Sequence, residues 1–394
     1  MAAMKLHRVL AEGCEEFLAE VFEGGSVLDR VVAAGFKKHA KWGKRDRHFV
    51  ADSVWETVRW RRALAFIAGS DEPRAMLTAL WAGQGMEIPE WWTWNGEPVA
   101  EMEGRRAALR EQPRAVRESI PDWLDLRGAS ELGERWDVEL TALNQRAPVF
   151  LRANRLMSSR EEVLAVLEGE GVPAKAVEGF PDAIELEGLL PKRLLQDGRF
   201  EIQDAGSQAV VPLLGISPGM RVIDACAGAG GKTLQMATEL GGEGELLALD
   251  TSARKIGELV RRAKLAGVKK LLTDTWAGET LRRRSGWADR VLIDSPCSGL
   301  GTLRRQPDLK WRLTETQLEK TRRLQRKLLD HYHELLREGG EWVYATCSIL
   351  PSENRGQIDA FLERDPRWEL ADEVRISPAE SGWDGFYAAR LRRK

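Results

Sequence analysis

Between residues 221 and 250 the chain reads strand, glycine-rich turn, helix, strand, and no other stretch restricts its fold so narrowly. An apolar run, Arg221–Ala225, is predicted as a strand that reaches Asp224. It is followed by Ala225-Cys226-Ala227-Gly228-Ala229-Gly230-Gly231-Lys232, a helix predicted over Lys232–Leu240, and a second strand, Glu245–Leu249, that delivers Asp250 nineteen residues after Gly231. Glycines allow the backbone close to a ligand, and a helix N-terminus offers unpaired N–H groups and positive potential. Further strands are predicted over Lys269–Thr273, Arg290–Ile293 and Trp342–Thr346. A helix between the last two opens at Thr314-Glu315-Thr316-Gln317, carries an apolar stripe from Leu318 to Leu335, and stops at Gly339-Gly340. Strands alternating with helices specify a parallel α/β sheet.

Three cofactor types compete for such a turn. A phosphate loop needs glycine where Cys226 stands, so that reading fails. A dinucleotide fingerprint fits only from Gly228 and breaks at Thr233. S-adenosylmethionine carries no phosphate, and its sulfonium suits acidic surroundings. Asp224, Asp250, Asp274 and Asp294 fall at or just past predicted strand ends, the rim where open α/β sheets bind ligands. Four acids there disfavour a pyrophosphate and favour a cation. The residues therefore rank S-adenosylmethionine above a dinucleotide, with a purely structural turn as the remaining reading.

Two thiols stand just past apolar runs, in Asp294-Ser295-Pro296-Cys297 and Tyr344-Ala345-Thr346-Cys347-Ser348. Each taken alone reads as a small buried hydrophobe, the common fate of a free cysteine. A pair of them on the rim of a nucleotide-type pocket points to chemistry that makes and then breaks a covalent bond. Carbon 5 of cytosine is too electron-poor to take a methyl group directly. A thiolate added at C6 makes C5 nucleophilic, and elimination of the thiol completes the exchange. Asp294 is placed to serve as the acid near the ring, and Cys297 to assist release.

The rest of the 394 residues is less specific. With 43% hydrophobic and 30% charged residues the chain is an ordinary globular protein of two or three domains. Met1–Arg8 lacks a leader-like apolar stretch and no long apolar run exists, so a cytoplasmic protein without membrane contact is expected. Four scattered cysteines make a disulfide framework or zinc site unexpected, and His331 and His333 are too close in sequence to share a helix face; no metal is expected. Residues 1–130 read as helical, with seven of the 15 tryptophans before residue 95, read as packing. Residues 131–205 mix short strands at Phe150–Asn154 and Ala183–Leu186 with a capped helix at Ser159–Glu168. The net charge of −2 conceals two basic runs, Lys37–Arg47 with six Lys/Arg against one Asp, and Thr302–Lys327 with nine against three acids. Such runs are usually solvated faces, and their spacing relative to the thiols raises a nucleic-acid reading.

Together, Asp294-Ser295-Pro296-Cys297-Ser298-Gly299-Leu300-Gly301, Arg304-Arg305-Gln306-Pro307-Asp308-Leu309-Lys310-Trp311, Tyr344–Ser348 and Pro351-Ser352-Glu353-Asn354 resemble the Sun-type branch of the Nop/Sun RNA cytosine-C5 methyltransferases, and among them the small-subunit ribosomal RNA methyltransferase B group. Gln203-Asp204, Ser207-Gln208 and Asp384-Gly385-Phe386-Tyr387-Ala388 are similar too. The resemblance implies a Rossmann-like S-adenosylmethionine methyltransferase sheet over 206–394. Before it would stand a small α+β RNA-binding module over 131–205 and a helical, NusB-like RNA-binding domain over 1–130. It implies Cys347 as nucleophile and Cys297 as the release residue. Cys226, Ala227, Gly228, Ala229, Gly230, Gly231, Lys232, Asp250, Asp274 and Asp294 would hold S-adenosylmethionine, and Arg304 and Lys310 would approach RNA phosphates. The expected substrate is 16S ribosomal RNA and the expected state a monomer. The family usually has proline at Ala229 and alanine at Ser295; both replacements are small. The alternatives are a tRNA methyltransferase, a non-catalytic RNA-binding assembly factor, and a Rossmann dehydrogenase.

Overall fold

The structure, a computed structural model, describes residues 6–275 and 282–394; residues 1–5, part of the stretch read for a leader, lie outside it. The chain divides into two compact units, one of residues 1–145 with 303–315, the other of residues 146–302 with 316–394. This differs from the expected boundaries. Helices Asp122–Leu132 and Arg135–Leu143 belong to the first unit: Arg62 pairs with Asp122 and Arg114 with Asp125, each at 2.7 Å, and Trp136 joins the two helices by donating its indole N–H to Asp125 Oδ1 at 2.7 Å. Among the described residues no helix is long and apolar enough to cross a membrane.

The first unit is helical, as its sequence suggests. Helices Arg8–Phe22, Leu28–Lys38, Lys44–Arg59 and Pro73–Gly83 pack around Phe17, Val31, Val54, Trp81 and Trp92, and helix Arg61–Ala68 sets Leu64 and Ile67 in a second core with Met76. Its tryptophans are packing residues, and those most buried have satisfied indoles: Trp81 donates to Ser53 Oγ and Trp92 to Thr78 Oγ1, each at 3.0 Å. Segment 303–315 completes this core. Trp311 donates to the Val58 carbonyl at 2.7 Å, and Asp308 accepts from Leu28 N–H at 3.2 Å.

The second unit carries two sheets. A small antiparallel sheet has the order β2-β3-β1-β4, with β1 Val149–Ala153, β2 Ala174–Ala176, β3 Ala183–Leu186 and β4 Phe200–Ile202. The predicted helix lies across it as Arg160–Gly169, closed by a capping box in which Ser159 Oγ accepts from Glu162 N–H and Glu162 Oε2 from Ser159 N–H.

The large sheet contains β5 Arg221–Asp224, β6 Glu245–Asp250, β7 Leu271–Thr275, β8 Ala288–Asp294, β9 Leu336–Thr346, β10 Trp368–Ile376 and β11 Phe386–Arg393, in the order β10-β11-β9-β8-β5-β6-β7. Strands β9 to β7 along that order run parallel, and β10 and β11 antiparallel. Side-chain alternation feeds both faces. Ile223, Leu249, Ile293 and Tyr344 meet helices Glu315–Tyr332 and Arg355–Arg364, while Val222, Leu246, Leu292 and Val343 meet helix Gly231–Glu239. Full burial of each such aliphatic chain contributes about 1.5–3 kcal/mol, so the sheet is fixed from both sides.

Two expectations change here. Gly339-Gly340 does not stop the long helix. That helix ends at Tyr332, and the glycines lie inside β9 where its register with β8 shifts between Ala288 and Arg290. A Cβ on Gly340 would come within 3.0 Å of the Ala288 carbonyl, so the pair is placed by close strand approach. Strands β10 and β11 were not among the predicted elements.

Candidate active site

Connection order fixes where a ligand can lie. From β5 the chain moves outward through β6 and β7, then returns to place β8 on the other side of β5. Reversal of winding opens a crevice beyond the carboxyl ends of β5 and β8. Asp224, Asp250 and Asp294 are the last residues of β5, β6 and β8, and Asp274 is the penultimate residue of β7, paired with Leu249. All four predicted acids thus share one rim.

The glycine turn is held from several directions. Ala227 N–H bonds the Leu249 carbonyl at 2.8 Å and Gly228 N–H bonds Asp250 Oδ2 at 3.0 Å. Arg262 donates to the Ala229 carbonyl at 2.6 Å, and the buried Arg152 of β1 donates to the Gly231 carbonyl at 3.0 Å. Gly230 has φ +96°, and a Cβ there would strike Leu259, so only glycine fits.

The donor set fits S-adenosylmethionine. Asp250 accepts Gly228 N–H and Ser252 N–H, one on each oxygen, and a carboxylate with about four acceptor positions retains capacity for two hydroxyls. Asp224 accepts Thr233 Oγ1–H on one oxygen, while its other, buried oxygen has no hydrogen-bond partner among the described residues. Burial is the main reason that Asp224 is raised to about 7. An orphaned carboxyl oxygen of this kind fits a cationic or hydrogen-donating ligand.

Lys232 modifies the expected charge of the rim. Its buried amine lies 2.8 Å from Asp294 Oδ2 and 4.9 Å from the centre of the Phe386 ring, so one of the four acids is already paired. Burial, the largest single influence on the amine, lowers it, but Asp294 first and then Cys347 raise it and prevail. Lys232 thus connects the glycine turn electrostatically to the second thiol. Cys226 lies among three acids. Burial first, then Asp224, Asp294 and Asp250, push its thiol far up, so it forms a wall of the turn and is a poor nucleophile.

The two predicted thiols meet. Cys297 Sγ and Cys347 Sγ are 3.3 Å apart, both half-buried and both free. They are brought together because β8 and β9 are parallel neighbours in which Asp294, the last residue of β8, pairs with Ala345, the penultimate residue of β9, and Ser295 N–H continues the ladder to the Ala345 carbonyl at 2.8 Å. Six residues after Ser295, Gly301 N–H bonds the Cys347 carbonyl at 2.9 Å. Cys297 is raised well above an ordinary thiol, first by its hydrogen bond with Cys347, then by burial and by Glu353.

The expected phosphate contacts are not found where the resemblance put them. Lys310 is 1% exposed, with its amine 3.1 Å from Asn144 Oδ1, and Arg304 is equally enclosed, its carbonyl accepting from Arg59. Neither side chain faces solvent, because segment 303–315 is part of the helical unit's core. The basic run splits there: Lys320, Arg323, Arg326 and Lys327, on the following helix, are exposed, as are Lys37, Lys41, Lys44 and Arg45.

Residues missed from sequence surround the thiols. Thr346 Oγ1 meets Asn354 Oδ1, and Asn354 Nδ2 donates to the Ser348 carbonyl at 2.9 Å. Glu353, wholly buried, contacts both serines that follow the cysteines. The run Pro351–Asn354 was visible but carried no local rule linking it to Cys297, more than fifty positions upstream.

Comparison with known proteins agrees with this architecture. Residues 211–392 match the family described as 16S rRNA methyltransferase RsmB/F, and residues 120–191 match the RsmF/B-like ferredoxin-like domain. The chain is 35% identical over 292 residues to ribosomal RNA small subunit methyltransferase B of Escherichia coli, and 35% over 291 residues to that of Cronobacter sakazakii. Each match covers 70% of this chain and 66% of the relative, just under two thirds of the relative's length. Among solved structures, PH0851 superimposes with a TM-score of 0.82 at 21% identity, covering 99% of this chain and 100% of its own. A methyltransferase homologue from Pyrococcus horikoshii reaches 0.64 at 24% identity, over 71% of this chain and 97% of its own. These structural likenesses concern the fold.

Proposed function

Because the chain belongs to the 16S rRNA methyltransferase RsmB/F family, we propose that it methylates C5 of a cytosine in small-subunit ribosomal RNA through a transient bond between Cys347 and C6. The observation that carries the reading is the 3.3 Å pair of thiols on the rim shared by Asp224, Asp250, Asp274 and Asp294. S-adenosylmethionine, held by the turn Cys226–Lys232 with Asp250, Asp274 and Asp294, would supply an electrophilic methyl group.

The division of labour follows from the electrostatics. Cys347, one of the groups that raise the Lys232 amine, attacks C6. Asp294, anchored by Lys232, would accept from the exocyclic amine of the base. Cys297 starts as a thiol because its bonded neighbour Cys347 opposes its ionisation most strongly. Once Cys347 is spent in a carbon–sulfur bond, that opposition is gone. Cys297 can then release its proton to solvent and take the C5 proton as Cys347 is expelled, leaving the product methylated and both sulfurs free. Phosphate contacts fall to the exposed Lys320, Arg323, Arg326 and Lys327 of helix Glu315–Tyr332.

The test is incorporation of labelled methyl groups into protein-free small-subunit rRNA, followed by mapping of 5-methylcytosine. One modified cytosine is expected. Incorporation into tRNA alone would move the substrate, and none into any RNA, with RNA binding intact, would leave an assembly factor.

A further inference from the structure

The loops that carry the two thiols are built alike. Each cysteine is followed by a serine whose hydroxyl oxygen accepts a backbone N–H two residues on: Leu300 N–H to Ser298 Oγ at 3.4 Å, and Leu350 N–H to Ser348 Oγ at 3.1 Å. The two hydroxyls lie 3.2 Å apart, and both reach the same oxygen, Glu353 Oε2, with Ser348 at 2.6 Å. The other oxygen, Oε1, accepts Ser298 N–H at 2.8 Å and Gln325 Nε2–H at 3.0 Å. Gln325 also donates to the Pro296 carbonyl, beside Cys297, at 3.0 Å. The backbone of Glu353 is fixed in turn by the Tyr344 hydroxyl at 2.7 Å. One wholly buried carboxylate therefore joins the residue after each sulfur to the other.

We propose that Glu353 is a positioning residue that sets the register between the Cys297 and Cys347 loops, and so keeps attack on one sulfur and release on the other. The catalytic half of this inference rests on the methyltransferase reading above; the geometric half does not. Four donors converge on two oxygens, a demand that only a group accepting on both sides meets. A glutamine would turn its donor either toward the Ser298 amide, which cannot accept, or toward the two hydroxyls, which can accept it only by losing Glu353 as acceptor of their own protons, and either change loosens the link between the loops. The same carboxylate helps hold Cys297 in its thiol form.

The test uses Glu353→Gln, Glu353→Asp and the Ser298→Ala/Ser348→Ala double variant in the full chain. Diamide removes one hydrogen from each of two thiols to give a disulfide, so the rate at which the Cys297–Cys347 linked peptide appears reads the sulfur spacing without any methyl transfer. We expect Glu353→Gln to slow that linkage and to lower kcat about 10–100-fold, the scale of an ångström-level misplacement, with the KM for S-adenosylmethionine unchanged. Glu353→Asp should fall between Gln and wild type, and denaturation-resistant RNA adduct should accumulate in Glu353→Gln. If Glu353→Gln does not fold, the double serine variant decides, because it removes only the hydroxyl links. Linkage and kcat at wild-type levels in the folded variants would overturn the inference. So would a loss of kcat that comes wholly with a weaker KM for the cofactor. Absence of methyl transfer in the wild type, with slowed linkage in the variants, would instead reject the methyltransferase reading and leave the positioning role standing.

Discussion

Buried Lys232 and half-buried Asp294 form a pair, 2.8 Å apart, between the first turn of one helix and the last residue of β8. The amine is the cation that faces Cys347. Replacing Lys232 with Met removes that cation and leaves Asp294 unpaired. Alkylation of Cys347 by iodoacetamide at neutral pH should slow by about tenfold, equivalent to ~1.4 kcal/mol in the barrier. Peptide mapping of the alkylated sites is the measurement, and an unchanged rate at Cys347 would show that Lys232 serves only Asp294.

Cys347→Ala and Cys297→Ala should fail differently. The first leaves no sulfur to add to C6, so neither methylated RNA nor adduct forms. The second still permits attack but lacks the group that takes the C5 proton, so an RNA–protein species surviving denaturing electrophoresis accumulates. Full activity in Cys347→Ala would remove the assigned nucleophile.

Gly301 is tightly enclosed. A Cβ there would lie 2.1 Å from the Gly385 carbonyl oxygen and 2.9 Å from that of Cys347. Gly301→Ala should cost about 1–3 kcal/mol as overpacking against backbone that cannot yield, and should also reduce activity by pushing the two thiol loops apart. Urea unfolding reads the first effect and single-turnover methylation the second. A variant as stable as wild type would mean that the closing strand gives way easily.

Lys310 makes stability depend on pH. Burial, and then Arg59, lower its amine to about 7, against an ordinary 10.5. A lysine depressed in the fold contributes stability above its unfolded value and loses it as pH falls toward the folded one. Between about pH 10 and pH 7 the protein should therefore lose stability relative to Lys310→Met, by at most ~1.4 kcal/mol per pH unit. Urea midpoints of both proteins across that range check it; parallel curves would mean that the amine reaches water.

The site was partly legible from sequence because its parts are local. A strand, a glycine turn and a helix are contiguous, and the acids sit at strand ends, so pattern alone puts Asp224, Asp250 and Asp294 together. The bond between Ser298 and Glu353 spans fifty-five positions and depends on β8 lying beside β9, which no periodicity encodes. Strands β10 and β11 escaped notice for another reason. The run Trp368–Ile376 interleaves apolar and charged residues and, at the sheet edge, is buried only at its two ends, so it lacks the continuous apolar signature of the inner strands. The fate of Arg304 and Lys310 was likewise illegible, since a basic run reads the same whether its members face water or a neighbouring core.

That last segment has a consequence for biosynthesis. Residues 303–315 supply Trp311 and Asp308 to a helical core otherwise made from residues 1–145. On the ribosome those helices emerge early, but the Val58 carbonyl and Leu28 amide wait for partners until translation has passed residue 311. The amino-terminal helices are thus finished late, after most of the large sheet's parallel strands have been made, and a gene cut at residue 145 would encode a fragment with an open seam.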